Sequence, residues 1–425
     1  HSHLIDSAMH VIPTSVIRHF GALAAAVATV SSCAPTPPAV APSPVAITRP
    51  DSILIPAPPG GAGLAATLPT TLDSIINAAI ADRTAPAVAV AVGRYGRLVY
   101  AHSYGRLTYS DTMPKVDEHT RFDMASLTKV VATTTAAMML EEQGKRDIDR
   151  TVASYLPEFN AQDKQGITVR MLLTHRGGLE AFAALWQRFH GRAEYLQQIN
   201  ARPLAYTPGT KMVYSDWDYV LMQAIVERIS GESLDTFTET RIFAPLGMME
   251  TGFLPDTVNR RHIAPTEVDS IRGLVWGKVH DENANAIGGV SGHAGLFSTA
   301  HDVAIFTQML LNGGTYGTVR LLRPETIARW TAIRDPGSSR TLGWDTPSGQ
   351  SSAGRYFSPR SYGHTGFTGT SIWTDPERGV WVVLLTNRVY PTRANTKVGP
   401  LRRAVADAVQ QAILDAPLVD WEARR

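Results

Sequence analysis

Ser126 and Lys129 stand three residues apart in the run Phe122-Asp123-Met124-Ala125-Ser126-Leu127-Thr128-Lys129. A hydroxyl is a poor nucleophile at neutral pH until a neighbouring base takes its proton. Residues i and i+3 of a helix share one face, so an amine on Lys129 can reach the Ser126 oxygen if this run opens a helix. The chemistry such a pair supports is acyl transfer through a covalent serine ester. A serine at a helix start is also a common N-cap, and the three-residue pattern alone does not separate the two.

Other chemistries find little support. No G-x-S-x-G nucleophile elbow occurs, which argues against an α/β-hydrolase. No H-E-x-x-H, P-loop or dinucleotide-binding glycine pattern is present. The glycine-rich Ile287-Gly288-Gly289-Val290-Ser291-Gly292-His293-Ala294-Gly295 lacks the lysine of a phosphate cradle and reads as a close-packed loop. His280, Asp281, Glu282 and His293 match no common zinc spacing, so neither a metal nor another cofactor is expected. A formal net charge of +2 over 425 residues, without a basic run, points away from nucleic acid as a partner.

The elements that must position the pair follow from periodicity. Leu72 to Ile80 has helical spacing, and strand-like runs Ala87–Val92 and Leu98–Ser103 flank a hairpin-like Gly93-Arg94-Tyr95-Gly96-Arg97. The Ser126 segment opens a helix that Gly144 can end. From about Ile148 to Leu311 the chain reads as mostly helical and loop-like, with helices Tyr219–Ile229 and His301–Leu311 clearest. Strands return at Ile372–Thr374 and Val380–Thr386, and a helix over Leu401–Leu414 closes the fold. Strands at both ends imply one antiparallel sheet built from the two chain ends and flanked by helices, an α/β (α+β) arrangement with an inserted, mainly helical region over about 123–311.

The N-terminal part reads as targeting sequence. Arg18 and His19 precede an apolar run, Phe20–Val30, too short to span a bilayer, and then Val30-Ser31-Ser32-Cys33. The small residues before the lone cysteine resemble the lipobox of bacterial lipoproteins, in which Cys33 would be lipidated. Residues 1–33 are therefore expected to be a signal peptide and 34–70 a proline-rich tether, since a third of the 27 prolines fall between Pro35 and Pro59. The folded domain is expected over 71–416, held at the cell envelope outside the cytoplasm by that anchor.

Two further stretches complete the pattern. Tyr214-Ser215-Asp216 precedes a helix, and His364-Thr365-Gly366 precedes the late strand pair. In order and spacing, S-x-x-K, Tyr-Ser-Asp and His-Thr-Gly resemble the serine β-lactamase and penicillin-binding-protein superfamily, nearest its class C β-lactamase-like branch of D,D-peptidases and esterases. Leu172-Leu173-Thr174-His175-Arg176-Gly177-Gly178-Leu179 and Gly292-His293-Ala294-Gly295-Leu296-Phe297-Ser298-Thr299 are similar to two more segments of that family.

The resemblance implies a β-lactamase/transpeptidase-like fold with Ser126 as the acylated nucleophile, Lys129 as its base and Tyr214 as proton shuttle. Lys129 must then be at least partly neutral, through burial and a neighbouring positive group. Asp216 stands where the family usually has asparagine and His364 where lysine is usual. Thr365 would line the site, Gly366 would let the substrate approach, and the N–H groups of Ser126 and Phe367 would form the oxyanion hole. The implied activity is a D,D-carboxypeptidase or related hydrolase of cell-wall peptides. A carboxylesterase and a non-catalytic penicillin-recognising sensor are the other readings.

Overall fold

The sequence Ala-Val-Ala-Val-Ala-Val-Gly-Arg at 87–94 alternates small and branched apolar side chains, leaving no face for water. Such a strand belongs in the middle of a sheet covered on both sides. In the structure, a computed structural model describing residues 53–332 and 337–425, all eight of these residues are buried. The strands of the main sheet are β1 (Ile55–Pro56), β2 (Ala87–Arg94), β3 (Arg97–Gly105), β4 (Tyr362–Thr365), β5 (Ser371–Asp375) and β6 (Val380–Thr386). Their spatial order is β1-β3-β2-β6-β5-β4, so the two chain ends meet along β2 and β6. Every pairing is antiparallel except β1 with β3. Strand β4 is left at the sheet edge.

The alternation along β2 decides what covers each face. Val88, Val90 and Val92 join Val382, Leu384 and Trp373 in a core with helices α1 (Leu68–Ala81) and α5 (Val398–Gln411). Ala87, Ala89 and Ala91 point the other way, with Trp381 and Val383, into the larger core shared with the helical region. That region carries α2 (Thr135–Glu142), α3 (Asp216–Ser230) and α4 (Ala300–Leu311). Trp381 is fully buried and donates its indole N–H to Gln308 on α4 at 2.8 Å. A three-stranded sheet of Phe122–Asp123, Leu296–Ser298 and Gly252–Phe253 also lies within the region expected to be helical and loop-like.

The expected tether ends earlier than its proline content suggested. Ile55–Pro56 pairs with Arg97–Leu98, and α1 begins at Leu68, so residues before 71 already belong to the fold. Proline permits this because β1 is an edge strand and Pro69 falls in the first turn of α1, where a missing N–H costs nothing. At the other end the chain continues past 416 to a short turn at Glu422–Arg424. The signal segment, Cys33 and the proline-rich residues up to 52 lie outside the described residues.

Candidate active site

The turn that presents Ser126 is built against local preference. Ala125 adopts a left-handed φ of 46°, which a residue with a Cβ avoids and which typically costs about 1–3 kcal/mol. The buried Asp123 carboxylate holds it there, accepting the Ala125 N–H at 2.8 Å and, through its other oxygen, the His280 N–H at 2.6 Å. Thr368 and Thr370, in the turn from β4 to β5, donate their hydroxyls to the Asp123 and Met124 carbonyls at 2.7 and 3.0 Å. Gly366 sits tight against the same place, since a Cβ there would collide with the Thr370 hydroxyl and the Met124 carbonyl. Glycine at 366 therefore serves the closeness of two backbone segments, a reason different from the substrate approach inferred from sequence.

Ser126 does not cap the helix. Its Oγ accepts a hydrogen bond from Lys129 Nζ at 3.0 Å, while the helix runs on through a π-turn over Lys129–Thr134 into α2. Lys129 is fully buried and places its other two protons on Asp216 Oδ1 at 2.7 Å and the His293 carbonyl at 3.2 Å. All three ammonium protons are thereby used. Burial pulls the Lys129 pKa down, but the Asp216 charge and then Tyr214 push it up, and the net direction is upward. The neutral amine expected from sequence is thus not the resting state: its nearest charged neighbour is a carboxylate.

Tyr214 follows a loop that enters α3, and Lys129 Nζ lies 4.8 Å from its ring centroid. His175, with its own left-handed φ of 55°, packs tilted against the same ring at 4.4 Å between centroids and sets its Nδ1 3.0 Å from the buried Asp218 carboxyl. The Tyr214 hydroxyl has no hydrogen-bond partner among the described residues. His364 closes the far side of the site. Its Nδ1 is 2.8 Å from the Thr365 carbonyl and its Nε2 is 2.9 Å from Arg340 Nη1. Arginine can only donate, so Nε2 accepts, Nδ1–H donates, and the ring is neutral. Burial, then the Arg340 and Lys129 charges, hold its pKa well below the usual histidine value.

Ser126, Tyr214, Asp216, His364, Thr365, Gly366 and Phe367 line one cleft of about 570 Å³, with Lys129 behind Ser126. The N–H groups of Ser126 and Phe367 make no hydrogen bond among the described residues, and both residues line the cleft. Sequence reasoning missed Arg340, Asp281 and His293 as parts of this wall. His293 Nε2 lies 2.9 Å from Asp281 Oδ1 beside the glycine-rich loop, where a Cβ on Gly292 would strike the Tyr219 carbonyl. Asp216, Asp281 and His293 bring one potential ligand atom each within 4.8 Å of one another. The cation at the Asp216 end of that group is Lys129 itself, and His280 is taken up by Glu267 at 2.9 Å.

The beta-lactamase family model matches residues 72–407, a span that holds every residue of this cleft. The chain belongs to the beta-lactamase family. It is 34% identical over 332 residues to a protein of Salmonella agona named "Putative D-alanyl-D-alanine carboxypeptidase", covering 71% of this chain and 77% of that one. A relative of the same name from Salmonella schwarzengrund is 35% identical over 332 residues, with the same coverage. Among solved structures, a class C beta-lactamase superposes with a TM-score of 0.68 at 18% identity over 83% of this chain and 98% of that one. A penicillin-binding-protein homologue from Caulobacter crescentus gives 0.68 at 20% identity over 82% and 99%. The hydrolase EstCE1 gives 0.67 at 24% identity over 81% and 98%. At these identities the superpositions establish the fold, which is that of the β-lactamases and transpeptidases. This member of the beta-lactamase family is a serine hydrolase, as its kinship with carboxypeptidase and beta-lactamase sequences requires.

Proposed function

We propose that the protein is an exported D,D-carboxypeptidase or closely related peptidase that cleaves cell-wall peptides through an acyl-enzyme on Ser126. The observation that carries this reading is the Lys129 ammonium bridging Ser126 Oγ and Asp216 Oδ1 inside the cleft bounded by His364-Thr365-Gly366. Ser126 Oγ attacks the peptide carbonyl while its proton passes to Lys129 Nζ, which hands one of its own to Asp216. The developing oxyanion is received by the N–H groups of Ser126 and Phe367, and one such donor typically lowers the barrier by about 2.7–4 kcal/mol. As the C–N bond breaks, Tyr214 gives its proton to the departing amine and regains one from Asp216 through Lys129. Water then hydrolyses the ester and Ser126 recovers its proton.

The names of the Salmonella relatives support the peptidase assignment. Export and tethering through Cys33 are supported by the sequence and suit a substrate in the cell wall. Under this reading Cys33→Ser moves the protein from the membrane fraction to the soluble one, and unchanged membrane association would remove the anchor from the account. A carboxylesterase is the second reading, favoured by Phe182 and Phe367, which line the cleft while remaining 52% and 51% exposed. Steady-state rates on a D-Ala-D-Ala peptide, a p-nitrophenyl ester and a chromogenic cephalosporin separate the readings. Cleavage of the peptide is expected to dominate; fast turnover of the cephalosporin alone would overturn the assignment.

A further inference from the structure

We propose that two neighbouring turns, Asp256–Val258 and Asp269–Ile271, form a docking surface for an anionic phospholipid bilayer. Docking there is independent of the acyl-transfer chemistry at Ser126. The two turns are built alike. Asp256 Oδ1 accepts the Val258 N–H at 2.9 Å, and Asp269 Oδ1 accepts the N–H groups of Ile271 and Arg272 at 2.6 and 3.0 Å. Turns ordinarily carry glycine, asparagine, aspartate or serine. Here each tip is a β-branched apolar residue held out in solvent, with Val258 92% and Ile271 73% exposed. Ile271 joins the short paired strands Val268–Asp269 and Gly273–Leu274, whose facing residues Val268 and Leu274 are also exposed. Facing residues of a strand pair share one face, so the apolar surface runs down the hairpin from its tip. None of these four side chains belongs to a hydrophobic core cluster. A local rule broken without gain to the core points to a use elsewhere.

The space between the two turns is cationic. Arg260, Arg272 and Lys278 line a cavity of about 250 Å³ together with Leu274, Trp276 and Asn285. A Cβ on Gly277 would collide with the Thr257 side chain, so the two segments touch. Arg272 is committed to Asp269 and to the Val279 and His280 carbonyls. Arg260, Arg261 and Lys278 are exposed, and their side chains have no hydrogen-bond or ion-pair partner among the described residues. The nearby carboxylates are occupied: Asp256 and Asp269 by their own turns, Glu267 by His280 and Arg393, Glu282 by Arg393. Apolar tips flanked by unpaired basic side chains match a bilayer surface, where the tips enter the headgroup boundary and the cations meet lipid phosphates. A second copy of the chain fits less well, because a two-fold contact would set the same cations against each other. Among the described residues no helix is long and apolar enough to cross a membrane, so the contact is interfacial. Glu267, the residue before the hairpin, holds Arg393 at the wall of the active-site cleft, so a bilayer seated on the tips lies beside that cleft.

The chain has a single cysteine, so Cys33→Ser combined with Ile271→Cys gives a full-length protein with one thiol at the hairpin tip. A nitrobenzoxadiazole dye on that thiol reports entry into lipid by a blue shift and a gain in emission. Vesicles of phosphatidylcholine alone, and of phosphatidylcholine with an equal part of phosphatidylglycerol, are added at rising salt. A second protein carries the dye on Gln143→Cys, just beyond α2. The N-terminal segment is present in every sample and contributes equally to each. The tip label should shift with the phosphatidylglycerol vesicles, less as salt rises, while the label at 143 stays unchanged. Adding Arg260→Glu with Lys278→Glu should weaken vesicle binding about tenfold or more. Fluorophosphonate labelling and melting curves of that variant should match the parent, since neither residue lines the cleft. No shift at the tip, an equal shift at both labels, an equal response to phosphatidylcholine alone, or binding indifferent to the charge reversal would each overturn the proposal. Self-association in sedimentation that Ile271→Ser abolishes, with no response to vesicles, would assign the tips to a second copy and overturn it as well.

Discussion

Strand β2 and the turn at 123–129 lie in the same core but are held by opposite means. Along β2 the backbone is regular strand over Ala87–Val92, and its alternating alanine and valine side chains meet apolar surfaces on both faces. In the turn, Ala125 is left-handed, Asp123 is a buried carboxylate and Lys129 is a buried ammonium. Its one local support is the Asp123 carboxylate accepting the Ala125 N–H. Beyond that it persists because the β4–β5 turn and the loop at His280 hold it with hydrogen bonds from distant parts of the chain. The sheet stores stability, and the turn uses some of it to hold a serine and a lysine in contact.

This contrast can be broken from either side. Trp381→Ala empties a fully buried site between β6 and α4 and takes the indole donor from Gln308 Oε1, so a loss of about 3–5 kcal/mol is expected in denaturant unfolding. The rate per fluorophosphonate-titrated site should stay within about twofold, because no atom of Trp381 reaches the cleft; a large fall in that rate would show that the regions are not separable. Asp216→Asn acts the other way. It removes the proton acceptor, so acylation at neutral pH should fall by about 10²-fold. It also removes the Asp216 charge that pushes the Lys129 pKa up, so the variant should regain activity as pH rises while the parent stays flatter. Undiminished acylation at neutral pH would remove Asp216 from the relay. The smallest effect is expected for Ala125→Gly. Relief of the left-handed φ is worth about 1 kcal/mol, so the melting temperature should hold or rise slightly while kcat drops a few-fold as the turn loosens. A lower melting temperature would mean that the turn is not strained.

What could be read from sequence divides along the same line. Val380–Thr386 is a strand with the bounds its apolar run suggested, and the helix expected over His301–Leu311 runs from Ala300 to Leu311. Such elements announce themselves because burial imposes a period on neighbouring residues. The site was legible where the motifs spell it, at Ser126, Lys129, Tyr214 and His364, which the fold brings to one cleft. Its electrostatics were not. The charge on Lys129 depends on Asp216, 87 residues away, and the neutrality of His364 on Arg340, whose loop has no period and no motif. The early start of the fold was hidden for a related reason: proline content reports what a segment cannot donate, not which edge it can accept from.

The central claim is that Ser126 forms the acyl-enzyme. Peptide mapping by mass spectrometry after brief incubation with a D-Ala-D-Ala peptide thioester tests it directly, with Ser126→Ala as the partner sample. One acyl group on the peptide that carries Ser126, and none in Ser126→Ala, is the result expected. An adduct on another residue, or turnover by Ser126→Ala at the rate of the parent, would contradict it.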